Sequence, residues 1–396
     1  MKNFGLLGKI ITAIILGVVA GSFLPEWFIR LGATFNELFG NFLSFIIPLI
    51  IIGFIVPGIG SMGRGAGKLL GLTGALAYIS TIIAGITAFL VAKTLYPFLL
   101  KGQSLRELAD PTKGLSKTFF ELEMPPPFDV MTALLISFVI GLGIASIKQN
   151  TILNTMNEFK DIIQLVIGKA IIPLLPFHIF GIFANMTYAG QITTILSVFF
   201  KVFIMIIILH ILYLVIQYVV AGSMSKQNPF YMLRNMLPAY FTALGTQSSA
   251  ATIPVTLNRT KKLNVRENIA DFTIPLLANI HLSGSTITLV SCALAVMFLQ
   301  GSTTTLGAML PFILLLGVTM VAAPGVPGGA VIAAAGLLDT MLGFDTTMVS
   351  LMIALYLAQD SFGTACNVTG DGAITSITNT LSRRGKSNKP DEATVL

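Results

Sequence analysis

Apolar runs near or above the length that crosses a bilayer recur along this chain. They lie at Leu7–Phe28, Phe42–Ile59, Leu69–Leu95, Val130–Ile147, Ile162–Met186 and Ile192–Val220. A hydrocarbon core about 30 Å thick takes about 20 apolar residues of helix. Later segments are less simple: Tyr231–Leu257 and Gly307–Leu338 are interrupted by small and polar residues, and Asn268–Leu299 and Thr347–Leu381 carry polar islands mid-span. Composition agrees. Of 396 residues, 54% are hydrophobic and 10% charged, against about 25% charged in a soluble domain. A water-soluble globule and a disordered chain are both excluded. The chain reads as an all-α integral membrane protein. The apolar run after Lys2 and Lys9 reads as a retained first span rather than a signal peptide.

The charges set the topology. The net charge is +7, and the positive residues sit in short loops beside apolar runs, so orientation accounts for them and no nucleic-acid partner is expected. Lys2 and Lys9, Arg64 and Lys68, Lys148 and Lys160, Lys226 and Arg234, Arg259–Arg266, and Arg383–Lys389 are basic; Gly190–Gln191 is uncharged, Asp339 and Asp345 are acidic, and Tyr96–Asp129 mixes four basic with five acidic residues. The positive-inside rule then puts both termini in the cytoplasm. Basic clusters flank the 231–257 segment on both sides, so it must enter and leave by one face as a re-entrant hairpin. Ser302 and Asp345 are both outside by the same logic, which makes 303–343 a second hairpin from the opposite face. Such backbone survives at membrane depth only inside protein or beside a wet cavity. Paired interrupted segments point to a secondary transporter with inverted repeats and a midplane site.

Four polar constellations carry chemistry. The first hairpin holds Gly245-Thr246-Gln247-Ser248-Ser249-Ala250-Ala251-Thr252; hydroxyls and amides at a helix start suit a carboxylate, though the same residues serve as interhelical glue. The second holds Ala323-Pro324-Gly325-Val326-Pro327-Gly328-Gly329-Ala330, dense in helix breakers. Asn279-Ile280-His281-Leu282-Ser283-Gly284-Ser285 interrupts the next-to-last span, where unwound carbonyls suit a cation. In the last span, Asp360, Thr364, Asn367 and Asp371 are spaced 4, 3 and 4 residues apart, on one helical stripe. An acid inside a span costs about 2.5–3.5 kcal/mol and defaults to function; the structural alternative pairs these acids with Lys93, Lys169 or Lys201. Enzyme signals are weak. Gly63-Arg64-Gly65-Ala66-Gly67-Lys68 lacks the first glycine and the Ser/Thr of a phosphate loop. The three histidines lie far apart, and Cys292 and Cys366 form no disulfide or zinc pattern.

With these motifs in order, the chain resembles the dicarboxylate/amino acid:cation symporter family, the glutamate transporter fold. Asn367-Val368-Thr369-Gly370-Asp371 is the most specific match; Gly325-Val326-Pro327-Gly328 and Ser248–Pro254 support it. The resemblance covers nearly the whole chain. It implies eight transmembrane helices plus two re-entrant helical hairpins, in a plasma-membrane homotrimer. Residues 1–60 and 128–192 would form the trimerising scaffold. Residues 69–96 and 193–383 would form a transport domain that moves like an elevator: hairpin one at about 226–259, span seven at 264–299, hairpin two at 303–343, span eight at 345–383. Residues 97–127 would be a flexible extracellular loop and 384–396 a cytoplasmic tail. Ser248, Ser249 and the Val326, Pro327, Gly328 and Gly329 backbone match positions for the substrate carboxylate. Asp360 matches the partner of its amino group, beside Ser285, Gly363, Thr364 and Asn367. Leu277, Asn279, His281, Ser283, Asn367 and Asp371 match cation positions, with Ser80 and Thr81 offering hydroxyls.

Departures narrow this reading. Acidic-substrate members carry an arginine three residues after the aspartate here numbered Asp360; this chain has Gly363, and Gln247 rather than arginine precedes Ser248. A second substrate charge would be buried without a partner. The expected substrate is therefore a small neutral amino acid such as serine, threonine or alanine. Where the family reads Asn-Met-Asp-Gly-Thr, this chain reads His281-Leu282-Ser283-Gly284-Ser285. One deep sodium site loses its carboxylate, which predicts fewer sodium ions per cycle. No cofactor is expected beyond sodium as coupling ion, with a proton carried by His281 as the alternative. A dicarboxylate or other organic acid is the alternative substrate, a channel-like pore the alternative mechanism.

Overall fold

The computed structural model describes residues 6–62, 67–100, 117–120, 122, 124–190, 192–302, 304–321, 323 and 328–387. Among these residues every regular element is a helix. Helix α1 spans Leu6–Phe23, α2 Glu26–Met62, α3 Gly67–Leu99 and α4 Val130–Ser146. Helix α5 (Thr151–Val166) runs through a π-helical turn, Ile167–Ile171, into α6 (Ile172–Tyr188), and α7 spans Ile192–Ser225. Then follow α8 (Pro229–Thr246), α9 (Ser249–Lys261), α10 (Glu267–Ile280), α11 (Ser283–Leu299), α12 (Leu306–Val321), α13 (Gly329–Leu342), α14 (Thr346–Leu357) and α15 (Asp360–Ser387).

Several boundaries differ from the apolar runs. The first helix stops at Phe23, because Pro25 opens the next one: Phe28 N–H donates to the Pro25 carbonyl at 3.0 Å. Trp27 and Phe28 thus belong to α2, which begins 16 residues before the second apolar run does. The fifth span starts at Thr151 rather than Ile162, since its first turns are amphipathic rather than apolar throughout. Pro173 has no N–H to return into the preceding turn, and the helix accommodates this with the π-turn just before it. Helix α3 extends to Leu99, inside the stretch read as a loop. The far end of that stretch is held against α2: Arg30 donates to the Lys117 carbonyl at 3.0 Å, Phe119 N–H donates to Thr34, and Asn41 donates to the Leu122 carbonyl at 2.7 Å. The 63–66 part of the phosphate-loop-like run lies outside the described residues.

Among the described residues, five spans are long and apolar enough to cross a membrane: Glu26–Gly60, Lys68–Leu99, Thr151–Tyr188, Leu196–Ser225 and Glu267–Leu299. A sixth forms if α14 and α15, bent by 60° at Ala358-Gln359, count as one. The described parts of α1 and α4 are shorter apolar helices, as are α12 and α13.

Packing follows polarity. Helices α1, α2, α4, α5 and α6 pack mainly on one another, while α3, α7, α8, α9, α10 and α11 gather around α15. Helix α8 packs on α9, and α12 on α13; α13 and α14 bridge to α2 and α6. Outer helices present exposed apolar stripes, such as Ile11, Ile15, Val19 and Phe23 on α1 and Phe200, Ile204, Ile208 and Ile211 on α7, which suit lipid or a like surface. Helix α15 is among the least apolar, yet nearly everything from Gly363 to Asn379 is buried. Polar groups at membrane depth turn inward, so this helix is the axis around which the second group is built.

Candidate functional site

Four helices begin at one place. Helix α9 starts at Ser249, α11 at Ser283, α13 at Gly329 and α15 at Asp360. Each start carries orphan amides and the positive end of a helix dipole. The breaks that create these starts are the small-residue motifs of the sequence. Gln247 closes α8 in the left-handed region (φ 53°), and Ser248 caps α9 by accepting from Ala251 N–H. A left-handed non-glycine residue costs about 1–3 kcal/mol and collects at functional sites. Gly328, at φ 77°, caps α13; a Cβ there would also come within 2.5 Å of Leu357, so only glycine fits.

The starts enclose a cavity of about 30 Å³ lined by Gln247, Ser248, Ser249, Ala278, Asn279, Leu282, Ser285, Ala323, Ala330, Tyr356, Asp360, Thr364 and Asn367. That is room for about two waters. Asp360, only 6% exposed, accepts from Gly328 N–H at 2.7 Å through Oδ2. Asn367 Oδ1 accepts from Gly284 N–H at 2.7 Å and from Ser285 N–H at 3.3 Å, so a side chain of α15 caps α11; its Nδ2 donates to the Ser285 hydroxyl at 2.9 Å. Gly284 permits this approach: a Cβ there would meet the Gly363 carbonyl at 2.5 Å and Cys366 at 2.6 Å. Gly363 lies behind the cavity, where a Cβ would meet Ser285 N at an ordinary 3.5 Å.

Most of the residues expected around the substrate therefore come together: Ser248, Ser249, Ser285, Asp360, Thr364 and Asn367 line the cavity, Gly328 bonds Asp360, Gly363 packs near Ser285, and Gly329 opens α13 next to the lining Ala330. Val326 and Pro327 lie outside the described residues. Asn279, expected among the cation ligands, lines this cavity instead, and its side chain donates to the Pro275 carbonyl of its own helix. Of the remaining lining residues, Gln247, Leu282, Ala323 and Ala330 entered the reading only as members of their motifs, and Ala278 and above all Tyr356 not at all. The spacing held one signal for Tyr356: four residues before Asp360, it prolongs the α15 stripe backwards.

A second polar cluster lies deeper. His281 Nδ1 and Asp371 Oδ1 are 2.9 Å apart, and both side chains are fully enclosed. With Asp371 ionised, the carboxylate only accepts and Nδ1 is the donor of the pair. His281 Nε2 lies 3.0 Å from the Ser80 hydroxyl, which also takes a bond from Gln217 at 3.0 Å; Tyr213 donates to the Ser80 carbonyl at 2.6 Å. The neighbouring cation candidates scatter around it. Leu277 uses its carbonyl to accept from His281 N–H, Thr81 donates to Ala77, and the Ser283 hydroxyl is buried without a partner among the described residues. The proposed lysine pairing fails: the ion pairs among the described residues are Lys261–Asp271 and His281–Asp371. No group of three or more acid, cysteine or histidine side chains suited to a metal occurs among the described residues. The other two histidines are structural in their contacts, His210 with the Gly284 carbonyl and His178 with Ser350. Cys292 and Cys366 are free and buried.

The sequence that builds this arrangement matches a known family. The model of the sodium:dicarboxylate symporter family covers residues 6–381. The chain belongs to that family. It is a membrane transporter, not an enzyme, as the absence of a catalytic motif led us to expect. A serine/threonine transporter SstT of Acinetobacter baumannii (strain AYE) is 26% identical, over 97% of this chain and 98% of its own length. Another SstT, of Enterococcus faecalis (strain ATCC 700802 / V583), is also 26% identical, over 97% and 93%.

Proposed function

We propose that this symporter couples sodium to the uptake of a small neutral amino acid, serine, threonine or alanine. The carrying observation is the charge of the cavity wall. Among the described residues Asp360 is its one charged side chain, and glycine stands where acidic-substrate members have arginine. A zwitterion fits: its ammonium would meet Asp360, and its carboxylate the converging helix starts of α9 and α13. A second carboxylate would be buried against no cation. The serine/threonine transporters among its relatives support the same substrate class. The family's name supports sodium, with Asp371 and the carbonyls around His281 and Asn367 as the groups that would serve it.

We further infer the family's architecture: eight spans, with α8–α9 and α12–α13 as re-entrant hairpins, both termini cytoplasmic, in a plasma-membrane homotrimer. Helices α1, α2 and α4–α6 would be the scaffold, and the bundle around α15 the elevator. Since the cavity holds about two waters, substrate entry requires a hairpin tip to move, and the α13 tip held by Asp360 is the gate. One sodium moving down 100 mV supplies about 2.3 kcal/mol, enough for about 50-fold accumulation of a neutral solute.

The test is uptake of labelled serine and aspartate into liposomes under an inward sodium or proton gradient. Sodium-driven serine accumulation without aspartate uptake is expected. Aspartate uptake would overturn the substrate. Proton-driven uptake would move coupling to His281, whose contact with Asp371 favours that alternative. Linear, unsaturable flux would mean a pore.

A further inference from the structure

Tyr356 is fully buried, lines the cavity, and its hydroxyl has no hydrogen-bond partner among the described residues. It sits beside Ser285 and Asp360. An orphan hydroxyl in a dry wall costs stability, and a ligand that pairs it recovers that cost. With the substrate's ammonium on Asp360 and its carboxylate at the helix starts, Ser285 and Tyr356 stand in the wall that remains, together with Ala278, Asn279, Leu282 and Thr364. Ser285 already accepts from Asn367 at 2.9 Å, so its own O–H remains to be given. Tyr356 supplies a second donor and an acceptor in the same corner. A substrate hydroxyl placed there would accept from one and donate to the other.

We propose that Tyr356 reads the side-chain hydroxyl of the substrate and so selects hydroxy amino acids over alanine, doing with a neutral group the side-chain recognition that an arginine at position 363 would do for an acid. This rests on the neutral amino acid reading above. Sites built to hydrogen-bond a substrate hydroxyl reject the analogue lacking it, because the wall group is then left unpaired. Threonine belongs with serine on this view.

The experiment compares kcat/KM for serine and alanine uptake in liposomes, for the unaltered protein and for Tyr356→Phe, which removes the oxygen and keeps the ring. The serine-to-alanine ratio should fall about tenfold in the variant, the worth of one net hydrogen bond at about 1.4 kcal/mol. A ratio unchanged within about twofold would overturn the proposal, because a purely structural tyrosine would lower both substrates together. If the variant moves neither amino acid, the ratio of serine to alanine dissociation constants, measured on purified protein by calorimetry, decides on the same terms. If the unaltered protein takes up neither, the functional reading itself fails and this inference with it.

Discussion

The two buried aspartates of α15 lie on one stripe yet in opposite circumstances. Asp360 faces a cavity and holds one backbone N–H across it, that of Gly328. Asp371 is sealed, 1% exposed, against an imidazole that is itself anchored to Ser80 and Gln217. A carboxylate with one exchangeable partner can trade it for a ligand's ammonium. A carboxylate locked into a chain of side-chain hydrogen bonds belongs to the fold first, since breaking one link leaves buried groups unsatisfied. Identical residues on one helix thus differ in how freely each can change partners: Asp360 by releasing one N–H, Asp371 only by opening a bonded chain of side chains.

Breaking the deep pair should have the largest effect. His281→Ala leaves Asp371 buried without its partner and should lower unfolding free energy by about 3–5 kcal/mol, read as loss of thermal stability in detergent. His281→Asn, which keeps a donor, should lose much less; equal losses would mean the pair contributes nothing special. At the cavity, Asp360→Asn should cut serine uptake about 100-fold, about 2.7 kcal/mol, while leaving the melting temperature nearly unchanged; a large fall in stability would erase the contrast between the two acids. Gly284→Ala drives a methyl into the Gly363 carbonyl and Cys366 and should cost about 2 kcal/mol by overpacking, measured by thermal unfolding together with serine affinity. Smallest is Gly363→Ala, where the new methyl meets only ordinary contacts. Stability there should shift by under about 0.5 kcal/mol, with serine uptake retained. A severe loss would show that the space behind the cavity is needed rather than merely vacant.

Much of this arrangement was legible in the chain. The Asp360, Thr364, Asn367 and Asp371 stripe follows from helical spacing, and the breaks at Gln247-Ser248 and His281-Leu282 follow from residues that free backbone groups in apolar surroundings. Helix ends were read less well where amphipathic turns or proline set them, at Pro25 and Thr151, because hydropathy marks the membrane-depth part of a helix and not its full length. Tyr356 escaped notice because an aromatic residue in an apolar helix reads as packing. It stands on α14, across the 60° bend from α15, and lines the same cavity as Asp360.

What the sequence determined by itself was the class of molecule, its family, and the axis of its site, for these rest on local chemistry: apolar length, breaker residues and periodic acids. The tertiary structure decided which partner each acid takes. Gly328 meets Asp360, 32 residues away, and His281 meets Asp371, 90 residues away. Such pairings depend on how separate helices dock, and no spacing along one helix encodes the face its neighbour presents.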